Sequence, residues 1–460
     1  MSSPICLTDD IRRIEKAAGD AKPPLMERAG AAAAALAARL ASDKTKDILI
    51  LAGPGNNGGD ARIAASRLAQ AFHRVSVATR PDEIPDKKWG LVIDGLFGIG
   101  LTRNIEGEYA RLVEYANAQV CPVLALDIPS GLQSDSGRVM GTAVRASHTI
   151  TFIALKPGLL TLDGPDHCGE ITVADLGVPI EKPLAWVAGR ELFQSVLKRR
   201  PHNFHKGLAG SVAILGGASG MSGAALLAGR AALKLGAGRV YVGMLDTGLA
   251  LDPGAPELML RHADDALGLD LNALVVGPGL GDSERAETLL GAALTSEVPC
   301  VLDADALNLI SESADLRHVC ARRSAETLLT PHPAEAARLL GTTTAAVQAD
   351  RVKAARLLSE NLNAHVVLKG NGSILVARDG HWFVNRTGNP GMASAGMGDA
   401  LAGMLGALLA QGLTGESALV LGTHLHGAAA DELERTGVGP VGLTATEVID
   451  AARRVWNQWL

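Results

Sequence analysis

The feature that most constrains this chain is an alternation kept up along nearly its whole length. Short runs of Val, Ile, Leu and Ala end in glycine or aspartate, and helix-like stretches separate them. Parallel strands need a long crossover between them, so this alternation predicts helices covering a mostly parallel, doubly wound sheet. In the first half the expected strands are "DILILAG", "RVSVATR", "LVIDGLF", "PVLALDI" and "HTITFIAL". In the second they are "AGSVAILGG", "RVYVGML", "ALVVGPG", "PCVLDAD", "ETLLTPH", "HVVLKG" and "SILVARDG". Between them "VPIEKPLAWVAGRELFQSVLKRRPHNFHKG" (178–207) breaks the rhythm with prolines and a basic cluster. At 460 residues the chain suits two domains. The expected division is 1–195 and 196–460, an α/β architecture of two three-layer sandwiches, the first Rossmann-like.

Composition narrows the partners. A net charge of −6 gives no basis for binding nucleic acid or an anionic membrane. Five scattered cysteines without a CxxC pair suit a reducing cytoplasm. The start, "MSSPICLTDDIRRIEKAA", puts charges where a signal peptide needs an apolar core. "AGAAAAALAARLA" (29–41) is too short and too rich in alanine to span a bilayer, and predicts a buried helix.

In the first half, "ILAGPGNNGGDARIAASRL" (50–68) reads as strand, glycine loop and helix. It is neither GxGxxG nor a Walker loop, so generic dinucleotide binding is not licensed. It carries three polar side chains, Asn56, Asn57 and Asp60, where a plain turn needs one or two. Asp94 ends the next strand, and Asp127 and Ser130 follow a third. A lone aspartate at such a point is more often a cap or turn former. Three successive strands delivering Asn57, Asp94, Asp127 and Ser130 to one sheet edge argue instead for a shared site. Oxygen donors without His or Cys suit a hard cation.

The words "MERAG" (26–30), "GPGNNGGD" (53–60), "DGLFGIGL" (94–101) and "DIPSGL" (127–132) closely resemble the NAD(P)HX epimerase, or YjeF N-terminal, family over roughly residues 5–180. The resemblance implies inversion of the hydrated carbon of damaged NADH or NADPH, with a bound potassium ion. It implies that Asn56, Asn57, Gly58, Gly59 and Asp60 contact the substrate and that Asn57, Asp94 and Ser130 hold potassium. The loop Gly98, Ile99, Gly100, Leu101, Thr102, Arg103 and Asn104 would embrace the dinucleotide, with Asp127 as acid/base. This chain has Ala61 where the family usually has glycine.

In the second half, "LLTPHPAEAARLLG" (328–341) sets His332 between two prolines. Either it satisfies backbone carbonyls or the rigid frame aims it at a ligand. Lys369, in "VVLKGNGSILVARDG" (366–380), is either a solvated hairpin lysine or a phosphate contact. "TGNPGMASAGMGDALAGMLGALL" (387–409) leads through glycines into an apolar helix with one aspartate, Asp399, at its mouth. Helix N-terminal amides stabilise charge on a transferred phosphoryl group, and Asp399 can take the proton of an attacking hydroxyl. The alternative is a plain N-cap.

"HKG" (205–207), "GPGLG", "LDADALN", "LTPHPAE", "VVLKG" and "TGNPGMASAGMGD" resemble the NAD(P)HX dehydratase, or YjeF C-terminal, family of ribokinase-like fold over about residues 200–455. The resemblance implies dehydration of NAD(P)HX at the expense of ADP in bacterial members or ATP in eukaryotic ones, with Mg2+. Asp399 would be the base, and Gly396, Met397 and Gly398 the anion hole. Lys369, Gly370, Asn371, Gly372, Ser373 and Gly398 would bind the nucleotide. Ala225, Gly279 and His332 would line the substrate pocket together with Asp399. The whole is expected to be a cytoplasmic homo-oligomer acting on small molecules, with both epimers of the hydrate recovered.

Overall fold

The computed structural model describes residues 3–246 and 248–460, which form two compact units, Ser3–Trp186 and Val187–Leu460. The first holds β1 (Asp47–Ala52), β2 (Val75–Ala78), β3 (Trp89–Gly95), β4 (Val123–Leu126), β5 (His148–Phe152) and β6 (Glu170–Ala174). They pair in the order β2-β1-β3-β4-β5-β6, all parallel. Alternate residues of β1 face opposite layers. Ile48 and Ile50 meet a cluster containing Ala33, Ala37, Ala61 and Ala64; Leu49 and Leu51 meet Leu112, Val113 and Ala116. Burial on both faces is why the strand reads as an unbroken apolar run. The alanine-rich stretch forms the helix Leu25–Leu40, packed in that first layer.

The second unit's sheet uses β7 (Ala185–Val187), β8 (Ser211–Gly216), β9 (Arg239–Met244), β10 (Met259–His262), β11 (Ala273–Val276), β12 (Cys300–Leu302), β13 (Thr327–Leu329), β14 (His365–Leu368), β15 (Ser373–Val376) and β16 (Trp382–Asn385). The order is β10-β9-β8-β11-β12-β13-β14-β15-β16-β7. It is parallel from β10 to β14 and antiparallel through β15 and β16. The helix Met397–Ala410 is buried along almost its entire length. Gly403 lets it press on the helix Ser222–Lys234, since a side chain there would collide with the Ala228 carbonyl. Packing in the interior explains its apolar sequence. No described helix is long and apolar enough to cross a membrane.

Every strand expected from the sequence is present. Four more, β6, β7, β10 and β16, were not expected. β6 and β10 are short, with exposed or half-exposed positions, so they lack the continuous apolar run of a central strand. β7 is three residues inside the proline-broken stretch, and β16 is the second return of a hairpin read as one strand.

Two candidate active sites

In each unit the strand order reverses direction once, between β1 and β3 and between β8 and β11. The crevice at the carboxyl ends of such strands is where open α/β sheets bind ligands. The loops that leave those ends carry the candidate residues.

In the first unit Asp94 is fully buried at the end of β3. Its Oδ1 accepts from the Ser130 hydroxyl at 2.6 Å and its Oδ2 from the Ser130 amide at 2.8 Å. Burial pushes its carboxyl up to about 6, against those hydrogen bonds. Asn57, in the first turn of the helix Asn56–Gln70, is buried with both side-chain amide atoms unpaired. An orphaned buried amide is costly unless a ligand or ion meets it. Asp127 follows β4 with φ of 65°, a left-handed conformation rare outside glycine. Its Oδ1 receives the ammonium of Lys156 at 2.5 Å. A side chain on Gly98 would sit 3.2 Å from Asp127 Oδ2 and 3.5 Å from Asn57, so these three groups share one pocket. Asp60, also buried, has its carboxyl pushed up to about 8, by burial first and then by the charges of Asp127 and Glu15. Along the loop, Leu101 is buried in the core and Ile99 packs against Cys6 and Ile153, whereas Gly100, Thr102, Arg103 and Asn104 are exposed. The loop is therefore pinned at two points and open between and beyond them. Asn56 is exposed, and Gly58 and Gly59 lie in the helix. Ala61 takes ordinary helical geometry with its methyl facing Gly95, so no left-handed residue is needed there.

In the second unit Gly396, at φ of 83°, caps the helix that begins at Met397, and Asp399 lies in its first turn. Burial pushes the Asp399 carboxyl up to about 6; Asp303 and Asp305 add to the shift and Lys369 opposes it. Met397 is buried, so its amide rather than its side chain is what an anion could meet. Lys369 Nζ donates to Asp303 Oδ1 at 2.9 Å, and a side chain on Gly398 would stand 3.1 Å from the same ammonium. Asp303, Lys369, Gly398 and Asp399 thus converge. Burial works to discharge Lys369, but Asp303, Glu335 and Asp399 together raise it.

His332 caps the helix Pro333–Leu340: its Nδ1 accepts from the amides of Ala334 and Glu335, while Glu335 Oε2 accepts from the His332 amide. The backbone role weighed from sequence is real, although the partners are amides. The ring stays half-exposed, with Nε2 3.2 Å from Glu335. Ala225 is fully buried beneath Gly216 and Gly217, and Gly279 lies against Met221 at the mouth of β11. Ala225 therefore packs beneath the glycines that end β8.

Lys369, Gly370, Asn371 and Gly372 form the turn between β14 and β15, which Ser373 closes by donating to the Gly370 carbonyl at 3.0 Å. Inside it sits Arg351, 1% exposed, a residue the motifs did not single out. Its Nη2 donates to the carbonyls of Leu368, Lys369 and Gly372, and its Nη1 to Gln348. Gly370 has φ of 143°, and a side chain there would lie 2.6 Å from the Arg351 guanidinium. Lys156 was also missed, and Asp303 stood in a quoted motif, "LDADALN", without being given a role.

These features define a two-unit α/β enzyme, with a carboxylate-rich crevice in the first unit and a lysine-carboxylate cluster at a helix mouth in the second. The NAD(P)H-hydrate dehydratase family matches residues 212–454, and the YjeF-related protein N-terminus family matches 22–89 and 80–158. The bifunctional NAD(P)H-hydrate repair enzyme of Coxiella burnetii is 37% identical, over 97% of this chain and 98% of its own. That of Escherichia coli is also 37% identical, over 98% and 93%. An ADP-dependent (S)-NAD(P)H-hydrate dehydratase of Neisseria meningitidis is 47% identical over 58% of this chain and 91% of its own. Among solved structures, the ADP/ATP-dependent NAD(P)H-hydrate dehydratase of Bacillus subtilis, crystallised with ATP and Mg2+, has a TM-score of 0.53 at 29% identity, covering 60% of this chain and 98% of that one. The chain belongs to the family of bifunctional NAD(P)H-hydrate repair enzymes.

Proposed function

We propose that the chain recovers both epimers of hydrated NADH and NADPH, a first functional domain (1–195) interconverting them and a second (196–460) dehydrating the S form with ADP to give NAD(P)H, AMP and phosphate. The observation that carries the second activity is the convergence of Asp399, Gly398 and Lys369 at the mouth of one helix. In this reading Asp399 takes the proton of the hydrate's hydroxyl as its oxygen attacks the terminal phosphoryl group of ADP. The amides of Gly396, Met397 and Gly398 receive the negative charge that builds there. Phosphate is a far better leaving group than hydroxide. The ring nitrogen expels it, and loss of a proton from the neighbouring carbon restores the double bond. Lys369, Gly370, Asn371, Gly372 and Ser373 hold the nucleotide; Ala225, Gly279 and His332 shape the hydrate pocket. Mg2+, when bound with ADP, neutralises phosphate charge.

In the first unit Asp127 is the acid/base, with Asn56 to Asp60 and Gly98 to Asn104 around the substrate. Asn57, Asp94 and Ser130 would hold potassium, which when bound balances charge in this carboxylate-rich crevice. A reducing, cytoplasmic setting fits five free cysteines, and we place the protein there as a homo-oligomer. The decisive assay follows the two hydrate epimers and AMP separately. Racemic NADHX with ADP should be consumed completely by the full chain. Asp399→Asn should stop AMP formation yet still interconvert the epimers. AMP formation by that variant at the wild-type rate would sink the assignment of the base.

A further inference from the structure

The Asp127 carboxylate meets an uncommon partner. Lys156, just beyond β5, has a side chain with no exposure to solvent. Burying an ammonium carries a large desolvation cost unless its donors are all used. Here all three are: Nζ donates to Asp127 Oδ1 at 2.5 Å, to Thr151 Oγ1 at 2.8 Å and to the Phe152 carbonyl at 2.8 Å. No N–H remains for a substrate. Two of the partners are local and anchor the lysine to its own strand, so the third bond reaches out from a fixed post. It takes hold of Oδ1 and leaves Oδ2 turned to the Gly98 and Asn57 side of the pocket. The left-handed backbone at Asp127 directs the carboxylate to that post.

From this geometry we infer that Lys156 is a positioning residue for epimerisation: it holds Oδ1 of Asp127 in place and commits one named oxygen, Oδ2, to proton transfer. The inference rests on the epimerase activity proposed above. Asp127 would otherwise share its pocket with two more carboxyls, Glu15 from the helix Thr8–Ala17 and Asp60 from the helix Asn56–Gln70, both raised by burial first and then by Asp127 itself. Cys6 is the other titratable group facing Lys156, and burial pushes its thiol up to about 11. The buried cation sets a positive charge against this group of acids, and removing it favours the protonated form of the carboxyls that remain.

The test uses the full-length chain with ADP left out, so that the second site is idle, and follows conversion of one hydrate epimer into the other. Lys156→Met should lower kcat about 100-fold, within the range a positioned base contributes. KM should hold within about 3-fold, because Nζ has no donor left for substrate. The acidic limb of kcat/KM should move to higher pH. Lys156→Gln, which retains amide donors for Thr151 and the Phe152 carbonyl, serves as the second variant if methionine unfolds the unit, and should show the same shifted limb. In an Asp127→Asn background, Lys156→Gln should cost nothing further. A glutamine variant with wild-type rate and an unmoved limb would overturn the inference. So would an undiminished cost in the Asp127→Asn background, which would mean that the lysine acts independently of Asp127. A wild type that fails to epimerise would refute the activity itself, an outcome separate from indifferent Lys156 variants in an active enzyme.

Discussion

Dehydration should fail in acid well before an ordinary aspartate would lose its charge. Asp399 acts as a base only when ionised, and burial together with Asp303 pushes it from 3.8 up to about 6. At pH 5 roughly a tenth of such a group is ionised, at pH 6 about half, and at pH 7 about nine-tenths. An aspartate at 3.8 would still be more than about nine-tenths ionised at pH 5. The rate should therefore rise with pH through the midpoint and level off above it, with about a tenfold deficit at pH 5. The quantity to measure is kcat/KM for the hydrate at saturating ADP, because it reports groups of the enzyme before the hydrate binds. AMP release, read by chromatography, is the right signal since reduced nicotinamide decays in acid. Lys369→Met supplies the internal check. Lys369 opposes the upward shift of Asp399, so its removal should move the midpoint to higher pH, whatever else it does to nucleotide affinity. A profile still flat at about pH 4.5, or a midpoint that falls in Lys369→Met, would refute the reasoning, since the ADP-bound enzyme would then not hold Asp399 in the environment described.

Other outcomes can be set against measurement. Arg351→Lys loses the planar fork that meets the carbonyls of Leu368, Lys369 and Gly372 at the end of β14 and in the turn after it. It should raise the Kd for ADP by about tenfold, or about 1.4 kcal/mol, in a calorimetric titration, while epimerisation by the other unit is unchanged. Gly58→Ala would drive a methyl into the Gly53 carbonyl. It should cost the first unit about 1–3 kcal/mol, seen as a lower Tm by circular dichroism with loss of epimerisation and dehydration retained. Replacing K+ by a bulky organic cation should slow epimerisation and spare dehydration. Asn57→Leu, which removes the unpaired amide, should blunt that dependence on K+.

How far the sequence disclosed these sites depended on where each residue's partners lie. Strand ends were legible because apolar runs stop where the sheet stops, and Asp94, Asp127 and Asp399 stand directly at those stops or at the first turn of a helix. The turn before Ser373 was legible from glycines that only a tight reversal needs. Lys156 and Arg351 were not, because nothing local marks them. Arg351 bonds carbonyls 17 to 21 residues downstream, and Lys156 reaches a carboxylate 29 residues upstream. A charged residue is expected at the surface unless paired, and pairing across such distances is a property of the fold. The converse also occurred. Leu101 and Met397 belong to motif words but are buried in the core, so a motif registers packing beside a site as well as contact within it.

Each site sets a lysine near a carboxylate that has other acids beside it, and the lysines differ in a way that matters for their chemistry. Lys156 is wholly enclosed and has spent all three donors on protein oxygens, so it contributes charge and geometry alone. Lys369 is 22% exposed, with one ion pair, to Asp303, and the Gly398 backbone beside it. Donors are left for an incoming phosphate, and the pair to Asp303 can be exchanged for one to the nucleotide. The difference fits the substrates. Epimerisation rearranges one neutral ring and needs a proton inventory that does not change when ligand binds. Phosphoryl transfer brings anions to a site that already contains Asp303, Asp305 and Asp399, and needs a cation able to change partners. Arginine substitution should separate the two. At Lys369 it keeps a mobile cation that phosphate can engage, so part of the dehydration rate should survive. At Lys156 the guanidinium is too large for a post enclosed on all sides, and epimerisation should be lost together with stability of the first unit. Equal tolerance at both positions would show that charge alone, rather than the supply of free donors, sets what each lysine does.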